Sequence, residues 1–177
     1  MRLTIVRHGE TEENLKGIIQ GHTHGTLSKR GREQVRRLAA RLKNEQFCAI
    51  YSSDLGRAKH TAFTIAVHHD APLTLTPLLR ERDWGEYNGR LRAPSGEPRF
   101  GETKEDVQRR AHEFLKKLHK YERDHVLVVS HNGFCKALIR AMTGHQKLPN
   151  LKNASVTVID IEGPRDTVRV FNCTKHL

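Results

Sequence analysis

Cysteine is scarce in this chain: three in 177 residues (Cys48, Cys135 and Cys173), far apart and without CxxC spacing. Such thiols build neither a disulfide framework nor a thiolate zinc site, and they fit a reducing, cytoplasmic setting. Cys48 and Cys135 stand among apolar residues and read as core fillers. No apolar run is long enough to span a bilayer, and Glu10, Glu12 and Glu13 arrive too early for a signal-peptide core. No membrane partner is expected. Aromatic residues make up only 6% of the chain and are not interleaved with basic ones, as a stacking platform for single strands would need. Acidic residues are outnumbered, 20 against 31 Lys and Arg, for a formal net charge of +11. The excess is scattered over helix faces with no dense tail, so no nucleic acid is expected as a partner. Twelve histidines include the pairs His22 with His24 and His68 with His69, but no carboxylate or thiolate pattern completes a site. No metal is expected.

What is present is an alternation of strand and helix patterns. Arg2 to Val6 reads as a first strand, ended by a turn at Arg7-His8-Gly9-Glu10-Thr11. Asn14 to Thr26 lacks periodicity and reads as a loop. Ser28 is a natural N-cap for a helix burying Val35, Leu38, Ala39 and Leu42, with Gly31 weakening its first turn. Phe47 to Tyr51 reads as a second strand, followed by Ser52-Ser53-Asp54 as turn and cap, then a helix from about Leu55. A third strand is predicted at Leu73 to Leu75, irregular structure from Leu78 to Arg92, and a loop from Ala93 to Gly101. A helix starts at Thr103, with Asp106 near a capping-box position and Val107, Ala111, Phe114, Leu115 and Leu118 as its buried stripe. Val126 to Val129 reads as a strand buried on both faces, turning at Ser130 to Gly133 into a helix closed by Gly144. The end reads as a hairpin: Val156 to Ile161, a turn at Glu162 to Asp166, then Thr167 to Asn172. The alternation predicts one α/β domain over residues 1–177, an open and mostly parallel sheet ending in an antiparallel hairpin.

Three strand-to-helix junctions carry His8, Arg57 and His131. Each has a dull reading alone, as a solvated or hydrogen-bonded surface residue. In an open α/β sheet, however, such junctions converge on one crevice at the carboxyl ends of the strands.

Four ordered blocks carry a resemblance. They are Arg7-His8-Gly9-Glu10-Thr11 with Asn14 and Gln20-Gly21, and Ser52-Ser53-Asp54-Leu55-Gly56-Arg57-Ala58 with Thr61-Ala62. Leu79 to Glu86 with Gly89, and Val128 to Gly133, complete the set. Together they resemble the histidine phosphatase superfamily, the cofactor-independent phosphatase and phosphoglycerate mutase group. That resemblance implies an open sheet with helices on both faces, no cofactor, and a phosphohistidine formed on His8. It implies catalytic roles for His8, Arg7, Arg57, His131 and Glu81. Glu81 is the proton donor to the leaving group, with Asp83 and Glu86 as rivals. Arg7, Arg57, His131, Thr11, Asn14, Gln20 and Gly21 are the implied substrate-binding set, although Thr11 and Asn14 could equally stabilise their turn. Glu10 is assigned no chemical step.

The residue types suit that chemistry. Imidazole is a competent nucleophile near neutral pH, and guanidiniums recognise phosphoryl oxygens with several donors while disfavouring a protonated His8. The segment His22 to Ser28 departs from the acidic residue and proline many relatives carry, so specificity does not carry over. The stretch between Glu81 and His131 lacks the larger helical insert of the mutases, which favours a phosphatase with a phosphoglycerate mutase as the alternative. The implied partner is a small-molecule phosphate ester, and a homodimer is compatible with this reading.

Overall fold

The computed structural model describes residues 1–91, 98–121, 124–162 and 165–177. In chain order they form β1 (Arg2–Arg7), α1 (Glu12–Leu15), β2 (Ile18–Ile19), α2 (Lys29–Leu42), β3 (Ala49–Ser53), α3 (Gly56–Ala66) and β4 (Leu73–Thr76). Short 3₁₀ turns at Pro77–Leu79 and Gly85–Tyr87 lead to β5 (Arg90–Leu91). After that come α4 (Lys104–Tyr121), β6 (His125–Ser130), α5 (Asn132–Thr143), β7 (Val156–Glu162) and β8 (Arg165–Cys173). Most of the Ala93 to Gly101 loop expected from sequence, and the Gly163-Pro164 part of the hairpin turn, lie outside the described residues.

The main sheet has the order β4-β3-β6-β1-β7-β8. β4, β3, β6 and β1 run parallel, and β7 and β8 add an antiparallel edge. Alternation within β1 sets its two faces: Leu3 and Ile5 pack with α4 and α5, whereas Val6 packs with α2 and α3. All six residues of β6 are buried, as a central parallel strand covered on both sides requires. Each large core side chain, Leu38 for example, contributes roughly 2 kcal/mol of burial. Because α2 follows β1 on one face and α5 follows β6 on the other, the crossover direction switches between these adjacent strands. The crevice at their carboxyl ends is where α/β sheets bind ligands. No helix among the described residues is long and apolar enough to cross a membrane.

Several details differ from the sequence reading. The Asn14 to Thr26 segment includes part of the one-turn helix α1 and the strand β2, which pairs with β5 in a second small sheet. Neither element is long enough to show periodicity. Helix α3 begins at Gly56 and has no side-chain cap on its own N-cap residue, Leu55. Asp54 is engaged by Arg80 instead, through hydrogen bonds of 2.7 and 2.5 Å, and His24 Nδ1 accepts the Gly56 N–H. Cys48 is exposed, because Phe47 takes the inward position and packs edge-on against His69 and His125. Cys135 is buried as expected. The hairpin strands extend beyond their predicted ends at Ile161, Thr167 and Asn172. Gly31 is more than a weak point. A Cβ there would lie 1.9 Å from the Glu10 carbonyl oxygen, so glycine lets α2 close onto the turn after β1.

Candidate active site

The site is assembled from the ends of β1, β3 and β6 and from the turn after β4. His8 follows β1 and is 3% exposed. Its backbone is pinned on three sides: its N–H donates to the Ser130 carbonyl, and its own carbonyl accepts from Ala154 N–H and Asn153 Nδ2. The ring nitrogen Nδ1 lies 2.7 Å from the Gly9 carbonyl oxygen, which can only accept. Nδ1 therefore carries the proton, and in the neutral ring the lone pair sits on Nε2. Burial, reinforced by Arg57 and Arg7, holds His8 well below the usual histidine value. The electrostatic expectation from sequence is met, but burial is the larger cause. The adjoining Gly9 N–H donates to Thr61 Oγ1, which itself donates to the Arg57 carbonyl and so ties the turn to α3.

His131 is fully buried at the N-cap of α5, with its ring centroid 5.2 Å from that of His8. Its Nε2 lies 2.9 Å from Ser53 Oγ, and its Nδ1 is buried without a protein partner. Burial, with Arg57 and His8 beside it, lowers this histidine too. Arg57 stands in the first turn of α3 and is 2% exposed. Its guanidinium donates to the carbonyls of Thr23 (2.5 Å) and Gly21 (2.9 Å) and more distantly to that of His24. Burial brings its pKa down to about 10, so it remains a cation at neutral pH. Arg7, at the end of β1, donates to the Leu151 carbonyl. The Nε atoms of both arginines are buried without a partner. Two buried arginine donors and the buried His131 Nδ1, none of them with a protein partner, make a cradle suited to an oxyanion.

Glu81 reaches this crevice from the turn after β4. Its Oε1 accepts from the N–H groups of Arg82 (2.9 Å) and Phe134 (3.1 Å), and its Oε2 from Gly133 N–H (3.0 Å). The start of α5 thus holds the carboxylate through backbone donors. A Cβ at 133 would sit 2.3 Å from Glu81 Oε1, so any larger residue there would push the carboxylate out of this position. The rival carboxylates are used within their own loop: Asp83 accepts from Gly85 and Asn88, and Glu86 from the N–H groups of Arg99 and Phe100.

The remaining expected site residues divide. Gln20 is buried, its Oε1 has no partner, and Gly21 supplies the carbonyl that Arg57 grips. Thr11 and Asn14 form a reciprocal capping box at α1, the turn-stabilising alternative, and Asn14 also accepts from Asn153. Glu10 accepts from Ser28 and pairs with Arg30, orienting the loop without facing the imidazoles. Sequence reasoning read Ser53 as part of a turn, whereas it ends β3, and gave no place in the site to Ser53, Thr61, Asn153 or the Leu151 carbonyl, because small polar residues and backbone atoms do not by type declare a contact. Among the described residues, no group of three or more His, Cys, Asp or Glu side chains is arranged to hold a metal. His22 instead contacts the Glu81 carbonyl at 3.0 Å.

The sequence model of the histidine phosphatase superfamily (branch 1) matches residues 3–174. The chain belongs to this superfamily. The enzyme class that follows is phosphatase, and relatives across most of the chain agree. This histidine phosphatase is 33% identical to a metal-independent phosphoserine phosphatase of Arabidopsis thaliana, over 99% of this chain and 82% of the relative. It is 29% identical to the adenosylcobalamin/alpha-ribazole phosphatase of Escherichia coli, over 97% and 96%. Among solved structures, a mycobacterial glucosyl-3-phosphoglycerate phosphatase in complex with VO3 superposes with a TM-score of 0.88 at 28% identity, covering 97% of this chain and 98% of the other.

The two buried imidazoles give this histidine phosphatase a pH signature. Their folded pKa values lie below the ordinary 6.5, so below that pH the unfolded chain binds protons that the native state refuses. Stability is therefore expected to fall as pH drops from 6.5 toward 5, by up to about 1.4 kcal/mol per pH unit for each histidine. Urea unfolding midpoints across that range measure the slope. The variant His131→Gln should show a smaller one.

Proposed function

We propose that this phosphatase hydrolyses phosphomonoesters of small metabolites in the cytoplasm through a phosphohistidine on His8 Nε2. The observation that carries the reading is the fixed tautomer: Nδ1–H donates to Gly9, which leaves an unprotonated Nε2 beside the buried, unsatisfied donors of Arg7, Arg57 and His131. Nε2 attacks phosphorus in line; the N–P bond forms as the ester P–O bond breaks. Arg7 and Arg57 take up the charge on the equatorial oxygens. In this scheme Ser53 Oγ, which accepts from Leu55 N–H, donates its own proton to His131 Nε2. His131 then presents Nδ1–H to the phosphoryl group.

Glu81, protonated, gives its proton to the departing alkoxide and takes one back from the water that cleaves the N–P bond. Oε1 has both lone pairs occupied by Arg82 and Phe134 amides, whereas Oε2 has one donor. Oε2 is thus the oxygen that exchanges the proton. The relatives' names, phosphoserine, adenosylcobalamin/alpha-ribazole and glucosyl-3-phosphoglycerate phosphatases, support a small phosphorylated alcohol as substrate class.

The test is phosphate release from p-nitrophenyl phosphate in excess EDTA, with acid-quenched protein checked for an acid-labile, base-stable phosphoryl group on His8. Turnover with that adduct is expected. Turnover that vanishes in EDTA, or a phosphoryl group found elsewhere, would overturn the reading. Interconversion of 2- and 3-phosphoglycerate without net phosphate release would identify a mutase.

A further inference from the structure

Beside Glu81 lies a cavity of about 430 Å³ that the reaction scheme above does not use. Glu81 and Trp84 line one side, Lys104 of α4 another, and Lys136 and Arg140 of α5 a third, with Asn150 at the rim. Its size is that of a small-molecule site. Positive charge dominates its wall. Lys136 and Arg140 sit one helical turn apart on the same face of α5, where like charges repel. Lys136 is half-buried, and its Nζ donates to Asn150 Oδ1 at 3.0 Å; Arg140 Nε donates to the Gln146 carbonyl. Among the described residues neither forms an ion pair with a carboxylate. The cavity's one carboxylate, Glu81, directs its oxygens to three backbone N–H groups instead. Burial and then Arg140 lower the Lys136 pKa, while Glu81 opposes them in part, in line with positive charge that is only partly compensated here.

The position of this charge matters as much as its sign. Glu81 acts electrostatically on the two cradle arginines and also lines this cavity, and Glu81 is where the proposed reaction delivers a proton to the leaving oxygen. Whatever hangs from that oxygen is therefore directed into a compartment with two half-compensated cations on α5.

We propose that this cavity receives the leaving-group half of the substrate, and that Lys136 and Arg140 select a leaving group bearing its own negative charge. The inference rests on the phosphatase reading. It makes these two residues determinants of specificity, acting on the part of the substrate that does not react. A carboxylate placed a few bonds from the phosphoester oxygen accepts from both side chains, with charge-assisted hydrogen bonds stronger than neutral ones. A neutral alcohol of the same size leaves both cations as they are.

The experiment compares 3-phosphoglycerate with glycerol 3-phosphate, which differ by a carboxylate for a hydroxymethyl group. Two readouts are taken: kcat/KM on the wild-type enzyme, and calorimetric affinity for His8→Ala, which binds without turnover. Wild type is expected to prefer the carboxylate ester by about tenfold or more, expressed in KM and weakened by added salt. Lys136→Met and Arg140→Gln should each reduce that preference, and the double variant should bring it close to unity. Equal affinity for the two esters, or a preference that survives in the double variant, overturns the inference. Absence of turnover on every ester would count against the phosphatase reading, and the binding arm would still decide this one.

Discussion

Replacing His8 with alanine is expected to lower kcat/KM on any phosphomonoester by at least about 10³-fold, because the group that forms the covalent intermediate is gone. The neighbouring groups cannot substitute for it. His131 engages Ser53 through Nε2, and its remaining nitrogen is assigned to donate. Cys135 is buried, and that burial pushes its thiol up, away from the reactive thiolate. The fold should survive, since the main-chain hydrogen bonds of residue 8 to Ser130 and Ala154 do not involve the ring. Stability near pH 5.5 should even rise relative to wild type, because one imidazole that resists protonation has been removed. Steady-state kinetics with far-UV circular dichroism and urea melts at two pH values separates these effects. A variant that retains wild-type turnover would remove His8 from the mechanism.

The second large effect is expected at Arg57. Arg57→Ala should reduce kcat/KM by about 10³-fold, the scale of losing a cation that stabilises charge on a transferring phosphoryl group. It should also loosen the Gly21 to His24 segment, whose carbonyls this guanidinium holds from inside the protein. Arg57→Lys discriminates between the two roles. It keeps the charge, but a single ammonium cannot grip several carbonyls and present a planar donor edge to phosphate at once. A loss in Arg57→Lys nearly as large as in Arg57→Ala, with faster proteolysis within residues 21–28, is the expected pattern. Full activity in Arg57→Lys would show that charge alone suffices.

Much of this was legible in the sequence because the informative features are local. Ser28 caps α2 by accepting from Gly31 N–H, and Thr103 with Asp106 forms the reciprocal cap at α4, as the residue types at those spacings foretell. The apolar stripes of α2 and α4 faced where their periods placed them, and the apolar run of β6 is buried on both faces. His8, Arg57 and His131 could be placed at strand ends for the same reason. The short elements α1, β2 and β5 fell below the length at which a period can be read. The exposure of Cys48 turned on which of two adjacent residues a strand end points inward, and Phe47 won that position by packing against two histidines.

By itself, then, the sequence determined the α/β alternation, the order of the strands' catalytic junctions and the chemical types at them, because propensity, capping and periodicity act over a few residues. Tertiary structure alone decided which nitrogen of His8 is unprotonated, which oxygen of Glu81 can take a proton, and that Lys136 and Arg140 face a cavity shared with Glu81. The Glu81 outcome depends on Gly133 and Phe134 of α5 meeting a residue 52 and 53 positions away, and the His8 outcome on burial that turns its ring onto the neighbouring Gly9 carbonyl. Desolvation and backbone donors of that kind arise only when the chain has closed on itself.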